Sequence, residues 1–299
     1  MSLNVTVVSD RFIGCATDRR LTGTDGSIVS ERSMKLTTFV TNTARGFITY
    51  NGIGRDRMGV TPSDWLMEIR DMGELTLHSL AQRIKAISEP RIEALKADFS
   101  GNPRHSFVIA AYEGAIPVVG VISNYEWATK HGDEKIASPN LHVELIVPKP
   151  VTSGAVIATG DCGPKGKQGT RKIFTALKAR RSVESITRLM VKSVRDSAYA
   201  SGRKGTVGTS VVLGVLPFLG NFKTTCHIVG GSTLGEMPNF LSPQMSMRDG
   251  YVETDGSFVS RYDSKTRRGI IRENPCPSCG NPIPDGYARC GVCDTQTNS

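Results

Sequence analysis

The chain has 299 residues, 38% hydrophobic and 22% charged, with a formal net charge of +9. That composition is ordinary for a soluble globular protein, and the longest apolar stretch, Val211–Leu219, is too short to span a bilayer and holds Gly214 and Pro217. The opening residues lack a basic start followed by a long apolar run, so no secretory leader is expected, and the isolated cysteines Cys15, Cys162 and Cys226 fit a reducing cytoplasm.

Taken in chain order, residues 3–9 and 12–17 read as short strands with a turn at Asp10-Arg11. Gly23–Ser27 reads as a loop. A second strand pair follows at 34–39 and 46–50, closed by the glycine-bearing loop Asn51-Gly52-Ile53-Gly54. The period then changes. Thr61 is placed to cap a helix with Pro62 in its first turn, running to about Met72. A second helix from Thr76 carries Leu77, Leu80, Ile84 and Ile87 on one stripe, and Pro90 is expected to end or kink it.

Strands return at 106–112, 116–122, 141–147 and 154–159, followed by helices at 169–179 and 183–200. Ser182 caps the second of these, Val183, Ile186, Met190 and Val194 form its apolar stripe, and Gly202 stops it. Two more strands are expected at 208–216 and 223–229. Strands, a helix pair, strands, a helix pair and strands imply two antiparallel sheets packed together with helices on their outer faces. The Gly-, Ser-, Asp-, Arg- and Pro-rich stretch that follows reads as a linker, so the expected division is a body over 1–235, a linker over 236–272 and a small module over 273–299.

That last module holds the strongest chemical signal. Cys276-Pro-Ser-Cys279 and Cys290-Gly-Val-Cys293 form a paired C-x-x-C array. Two thiolates three positions apart can bind one metal ion from a tight turn, and two such pairs complete a closed tetrahedral site suited to one structural Zn2+. Two disulfides in a secreted tail are the alternative, against which the rest of the chain argues. A filled four-sulfur site leaves no position for catalysis, so the expected role of the ribbon is to dock a protein partner or a neighbouring subunit.

Between Lys165 and Arg181 lie seven basic residues and no acid. A solvated helix face accounts for them. A nucleic-acid surface is disfavoured, because Arg289 is the only basic residue between Cys276 and Cys293. The histidines His78, His105, His131, His142 and His227 show no metal-ligand spacing, and there is no Walker loop and no dinucleotide-binding glycine fingerprint.

The first 56 residues narrow the choice of fold. Ala16-Thr17-Asp18-Arg19-Arg20-Leu21-Thr22-Gly23 is followed by Ser27-Ile28, Lys35-Leu36 and Tyr50-Asn51-Gly52-Ile53-Gly54-Arg55-Asp56. This resembles the start of proteasome β-type subunits and their bacterial homologues, members of the N-terminal nucleophile hydrolases, over about residues 2–230. The resemblance implies an α+β fold, a four-layer α-β-β-α sandwich of two antiparallel sheets, and self-assembly into a homo-oligomer. It also implies hydrolysis of a peptide or small amide.

In that family the nucleophile becomes the first residue of the mature chain, and an aspartate lies sixteen positions on; 18 − 16 is 2, which is Ser2. Removal of Met1 would free the Ser2 amine as general base, at an ordinary pKa of about 7.7–8. The resemblance further implies Lys35 as a fixed cation beside the nucleophile and Asp18 as its anchor. Gly52 would be the oxyanion donor, and Arg20 a brace for the Asp18 turn. Thr22, Tyr50 and Asn51 would line the substrate cleft.

Two departures stand out. The usual threonine is replaced by serine, and the carboxylate expected after the last long helix is missing from Gly202–Ser210. Asp161, in Thr159-Gly160-Asp161-Cys162-Gly163, is the residue placed to substitute for it. The competing readings are an inactive scaffold subunit with the same fold, a small-amide hydrolase and a zinc-ribbon nucleic-acid-binding protein.

Overall fold

The computed structural model describes residues 2–23, 27–99, 101–127, 136–149, 154–202, 205–218 and 225–229, and the backbone of short strands between 239 and 284. Strands β1 (Leu3–Val8) and β2 (Phe12–Asp18) form a hairpin. The short pair β3 (Leu21–Thr22) and β4 (Ile28–Ser30) follows, then β5 (Leu36–Val40) and β6 (Ala44–Asn51). Helices α1 (Pro62–Leu66) and α2 (Leu77–Ala94) precede β7 (Ser106–Glu113), β8 (Ile116–Ser123), β9 (His142–Ile146) and β10 (Ala155–Gly160). Helices α3 (Gly163–Lys178) and α4 (Val183–Ser201) lead to β11 (Val211–Pro217) and β12 (Thr225–Val229).

The result is a mixed α/β structure built on antiparallel sheets. One sheet has the order β10-β1-β2-β11-β12, every neighbour antiparallel. The other runs β13-β5-β6-β7-β8-β9, where β13 (Asn239–Leu241) lies parallel to β5 and the rest are antiparallel.

Strand periodicity divides the core. In β2, Phe12 and Ala16 pack with Ile173, Ile186, Met190 and Val194 of α3 and α4, while Ile13 and Cys15 face the opposite way. In β7, Phe107, Ile109 and Ala111 pack with Trp65, Leu80 and Ile84 of α1 and α2. Ala110 and Tyr112 point the other way, into a cluster with Ile13, Cys15, Val212 and Leu216 of the first sheet. Each fully buried Leu, Ile, Val or Phe contributes about 1.5–3 kcal/mol to holding these faces together.

The helices differ from expectation in three places. Helix α1 stops at Leu66, short of Met72, because Met67, Glu68 and Ile69 donate to carbonyls three residues back, which tightens the chain out of α geometry. Helix α2 continues through Pro90 to Ala94, with Ile92 buried beyond the proline; burial of its C-terminal turn offsets the missing hydrogen bond. Helix α3 starts six residues before the expected Gly169, since 169 − 163 is 6. Its glycines hide the pattern, and they have a packing role. A Cβ on Gly169 would lie 2.0 Å from Ser193 Oγ of α4, so the two helices meet backbone to side chain there.

The expected caps are present. Thr61 and Thr76 each form a capping box, with Asp64 and Ser79, and the Ser182 hydroxyl accepts from the Ser185 N–H at 3.2 Å. Gly202 follows α4 with φ of 70°. Within 236–272, read as a linker, β13 joins the second sheet and Leu241 is buried in its core. The backbone of β14 (Ser246–Arg248), β15 (Tyr251–Thr254), β16 (Phe258–Asp263) and β17 (Arg268–Ile270) pairs as a four-stranded antiparallel sheet. Strands β18 (Glu273–Pro275) and β19 (Pro282–Pro284) pair as a further two-stranded sheet.

Candidate active site

The hairpin register Asn4↔Thr17 sets Asp18 across from Leu3, and the Leu3 N–H donates to Asp18 Oδ1 at 3.0 Å. Asp18 Oδ2 accepts from the backbone N–H groups of Arg20 at 3.0 Å and Gly208 at 3.1 Å. Gly208 brings the loop before β11 onto the site; a Cβ there would lie 2.8 Å from Arg20 Cβ. The Asp18 carboxylate is therefore gripped by three backbone donors before any cation is counted.

Lys35 arrives from the other sheet, one residue before β5, and its side chain is completely buried. Its ammonium has three hydrogens and meets three acceptors: Asp18 Oδ2 at 3.1 Å, the Ser2 hydroxyl oxygen and the Arg20 carbonyl oxygen. Burial pushes the Lys35 pKa below the ordinary lysine value, and the Asp18 carboxylate opposes that shift. Ser2 itself is buried and hydrogen-bonded to a cation held from behind by an anion. Such an arrangement favours negative charge developing on Oγ.

Ser2 is also held by its backbone. Its carbonyl oxygen accepts from the Asp161 N–H at 2.8 Å, and the Asp161 carboxylate accepts from the Thr206 hydroxyl at 2.7 Å. The Gly160–Asp161 turn and the stretch after α4 thus meet beside Ser2, with Asp161 bridging them. Gly160 has φ of +87°, and a Cβ there would lie 1.9 Å from the Ser2 carbonyl oxygen, so only glycine fits.

Arg20 points away from Lys35. Its Nε and Nη2 donate to Glu31 Oε1 at 2.9 and 2.8 Å, and its Nη1 donates to the Gly205 carbonyl. It ties the β3–β4 region to the loop after α4. Gly52 follows β6 with φ of +97°, and a Cβ on it would strike the Arg104 carbonyl oxygen at 2.1 Å. The adjacent Ile53 N–H donates to His105 Nδ1 at 3.2 Å. His105 is completely buried and its pKa is lowered to about 3, so it is a neutral acceptor behind the glycine turn.

Thr22 and Gly52 line an open cleft of about 620 Å³, whose walls include Leu21, Val29, Leu95 and Phe99. Tyr50 and Asn51, expected in the cleft, do not line it; both are about 1% exposed. The alternation of β6 turns Tyr50 into the core beside His105 and Phe107. Asn51 bonds to Tyr125, Thr159 and Glu126. Sequence reasoning missed Glu126, His105 and Glu31, which carry no spacing signal of their own.

The four cysteines Cys276, Cys279, Cys290 and Cys293 lie outside the described residues. Among the described residues no group of three or more His, Cys, Asp or Glu side chains is placed to hold a metal ion, and no helix is long and apolar enough to cross a membrane.

Many solved structures resemble this one, three of which show the range. Anbu (ancestral beta-subunit) from Yersinia bercovieri is 13% identical, with 72% of this chain and 81% of that chain covered at a TM-score of 0.49. The Anbu (Gly-1) mutant from Hyphomicrobium sp. strain MC1 is 12% identical, covering 73% and 82% at 0.46. Eukaryotic HslV from Trypanosoma brucei is 11% identical, covering 72% and 99% at 0.39. No protein-family model and no curated protein matches the chain.

Proposed function

We propose that the chain is a proteasome-like N-terminal nucleophile hydrolase of peptide or small-amide bonds, with Ser2 as nucleophile once Met1 is removed. The observation that carries this reading is the buried Lys35 ammonium, bonded at once to the Ser2 hydroxyl and the Asp18 carboxylate. A charged pair is expensive to bury, and stability alone rarely requires one. Three core clusters, one on each helix pair and one holding residues of both sheets, support the four-layer α-β-β-α arrangement.

In the proposed reaction the freed Ser2 α-amine takes the hydroxyl proton as Oγ attacks the amide carbonyl carbon. The tetrahedral oxyanion receives the Gly52 N–H, a role supported by the open cleft at that turn. Collapse breaks the C–N bond, and the α-ammonium returns the proton to the leaving amine. Water, activated by the same amine, then hydrolyses the Ser2 ester, releasing a carboxylic acid and restoring the hydroxyl. Asp161, supported by Thr206, takes the place of the acid absent after α4.

Asp18 and Lys35 stay fixed through this cycle. Arg20 acts as a brace, and Thr22 lines the cleft beside the Asp18 turn. Cys276, Cys279, Cys290 and Cys293 would hold one structural Zn2+ in a ribbon for subunit or partner docking, in a cytoplasmic homo-oligomer. Intact mass after incubation with a peptide epoxyketone tests the central reading: one adduct on a chain lacking Met1, absent in Ser2→Ala, supports it. A chain retaining Met1, or one processed and unlabelled, supports the inactive scaffold instead. Native mass spectrometry before and after a chelator tests the ribbon; a chain with no bound zinc would contradict it.

A further inference from the structure

A polar cluster outside the chemistry above joins the two sheets beside Ser2. Glu126 lies three residues past the end of β8. Its Oε1 accepts from the Gly160 backbone N–H at 2.6 Å. Its Oε2 accepts from the Ser106 hydroxyl at 2.8 Å and from the Asn51 amide at 3.4 Å. The Glu126 N–H in turn donates to Ser123 Oγ at 2.7 Å. Asn51 also donates to Thr159 Oγ1 at 2.9 Å, and the Tyr125 hydroxyl donates to Asn51 Oδ1.

The register explains why these groups meet. Asn51 pairs with Ser106, and Ser106 with Ser123, so three neighbouring strand ends of the second sheet converge. Thr159 and Gly160 end β10, which is an edge strand of the first sheet. Hydrogen bonding from β1 holds β10 on one side only, and Leu3↔Gly160 is the last pair. Glu126 supplies the restraint from the other side. A carboxylate accepting N–H and O–H bonds is roughly twice as strong a partner as a neutral acceptor.

What Glu126 holds is in direct contact with the nucleophile's backbone. Gly160 packs on the Ser2 carbonyl oxygen, and the next residue, Asp161, donates its N–H to that oxygen. A displacement of this turn therefore moves Ser2 relative to Lys35.

We propose that Glu126 is a positioning residue: through Gly160 and Asp161 it fixes the backbone of Ser2, and hence the direction of Oγ. The inference rests on the reading of Ser2 as nucleophile. The bonds described for Glu126 go to Gly160, Ser106, Asn51 and Ser123 rather than to Ser2 Oγ or Lys35. A nucleophile misplaced by about 1 Å loses up to about 10²-fold in rate, so the effect belongs in the chemical step rather than in binding.

Glu126→Gln keeps the shape and replaces one acceptor oxygen by an amino group. With the amino group toward Gly160 that bond is lost; with it toward Ser106, whose hydroxyl can turn to accept, the Asn51 amide meets it donor against donor and the bond to Gly160 loses its charge. The experiment measures kinact and KI for a peptide epoxyketone on the full chain, alongside amide exchange at Gly160 and Asp161. The expected result is a kinact lowered about tenfold with KI within about twofold, and faster exchange confined to residues 159–161. An unchanged kinact in a labelled protein overturns the proposal, as does exchange unchanged at that turn. If Glu126→Gln does not fold, Ser106→Ala removes one partner of the same carboxylate and is read in the same way. If the wild-type chain forms no adduct, the nucleophile reading fails and the exchange data alone decide whether Glu126 tethers the turn.

Discussion

Replacing Asp18 by Asn removes the negative charge beneath Lys35 and little else in volume. Oδ2 is the oxygen that receives Arg20 N–H, Gly208 N–H and Lys35, so the remaining amide oxygen belongs there. The new amino group then faces the Leu3 N–H, donor against donor. Breaking a buried ion pair by removing one partner costs about 3–5 kcal/mol, and an unsatisfied buried N–H about 1–3 kcal/mol. The two overlap, since one carboxylate makes both sets of bonds, and a loss of about 4 kcal/mol at neutral pH is expected.

That loss should depend on pH, with a definite sign. Without Asp18, burial holds the Lys35 pKa still further below the ordinary 10.5. Between the lowered folded value and 10.5 the unfolded chain holds more protons, so stability rises with pH, by up to about 1.4 kcal/mol per unit. Asp18→Asn should therefore recover part of its loss between about pH 7 and about pH 9.5 in urea denaturation. Lys35→Met placed on top of it should restore stability at neutral pH, because an apolar side chain leaves no buried charge unpaired. A loss under about 1 kcal/mol, or one identical at both pH values, would refute the account of this pair.

His105 gives a second pH dependence: its pKa falls from 6.5 to about 3 on burial, so stability falls as pH drops below 6.5, by up to about 1.4 kcal/mol per unit. His105→Gln should flatten that acid limb in a denaturation series, and an unaltered slope would count against it. Gly160→Ala places a Cβ against the Ser2 carbonyl at positive φ; a loss of about 3 kcal/mol or more and no epoxyketone adduct are expected. Gly169→Ala should destabilise by about 1–2 kcal/mol, read as a lowered urea midpoint, although alanine is the better helix former. A stabilised variant would mean that α3 and α4 are not in close contact.

Much of this was readable from residue patterns alone. Alternating Val, Ile and Phe marked β1, β2, β7 and β8, and capping residues marked the starts of α2 and α4. The start of α3 was not, because Gly163, Gly166 and Gly169 look like a loop until Ser197 and Ser193 are seen packed against the last two. Nor was the strand content past residue 236, where turn-rich composition outweighed the alternating runs Tyr251–Thr254 and Phe258–Asp263. In the site, the family resemblance points to Asp18 and Lys35, and the structure brings both to Ser2. Glu126 and His105 were not readable, since their partners come from strands distant in sequence. Tyr50 and Asn51 were placed in the cleft by resemblance, but strand alternation and a buried hydrogen-bond network take them elsewhere.

The central claim is that Ser2 is a working nucleophile, and intact mass after epoxyketone treatment tests it most directly. The account requires a chain without Met1 carrying one adduct, and no adduct on Ser2→Ala. A chain that keeps Met1, or one that loses it and stays unlabelled, would contradict the account and leave the buried Ser2–Lys35–Asp18 cluster as a structural feature of a non-catalytic subunit.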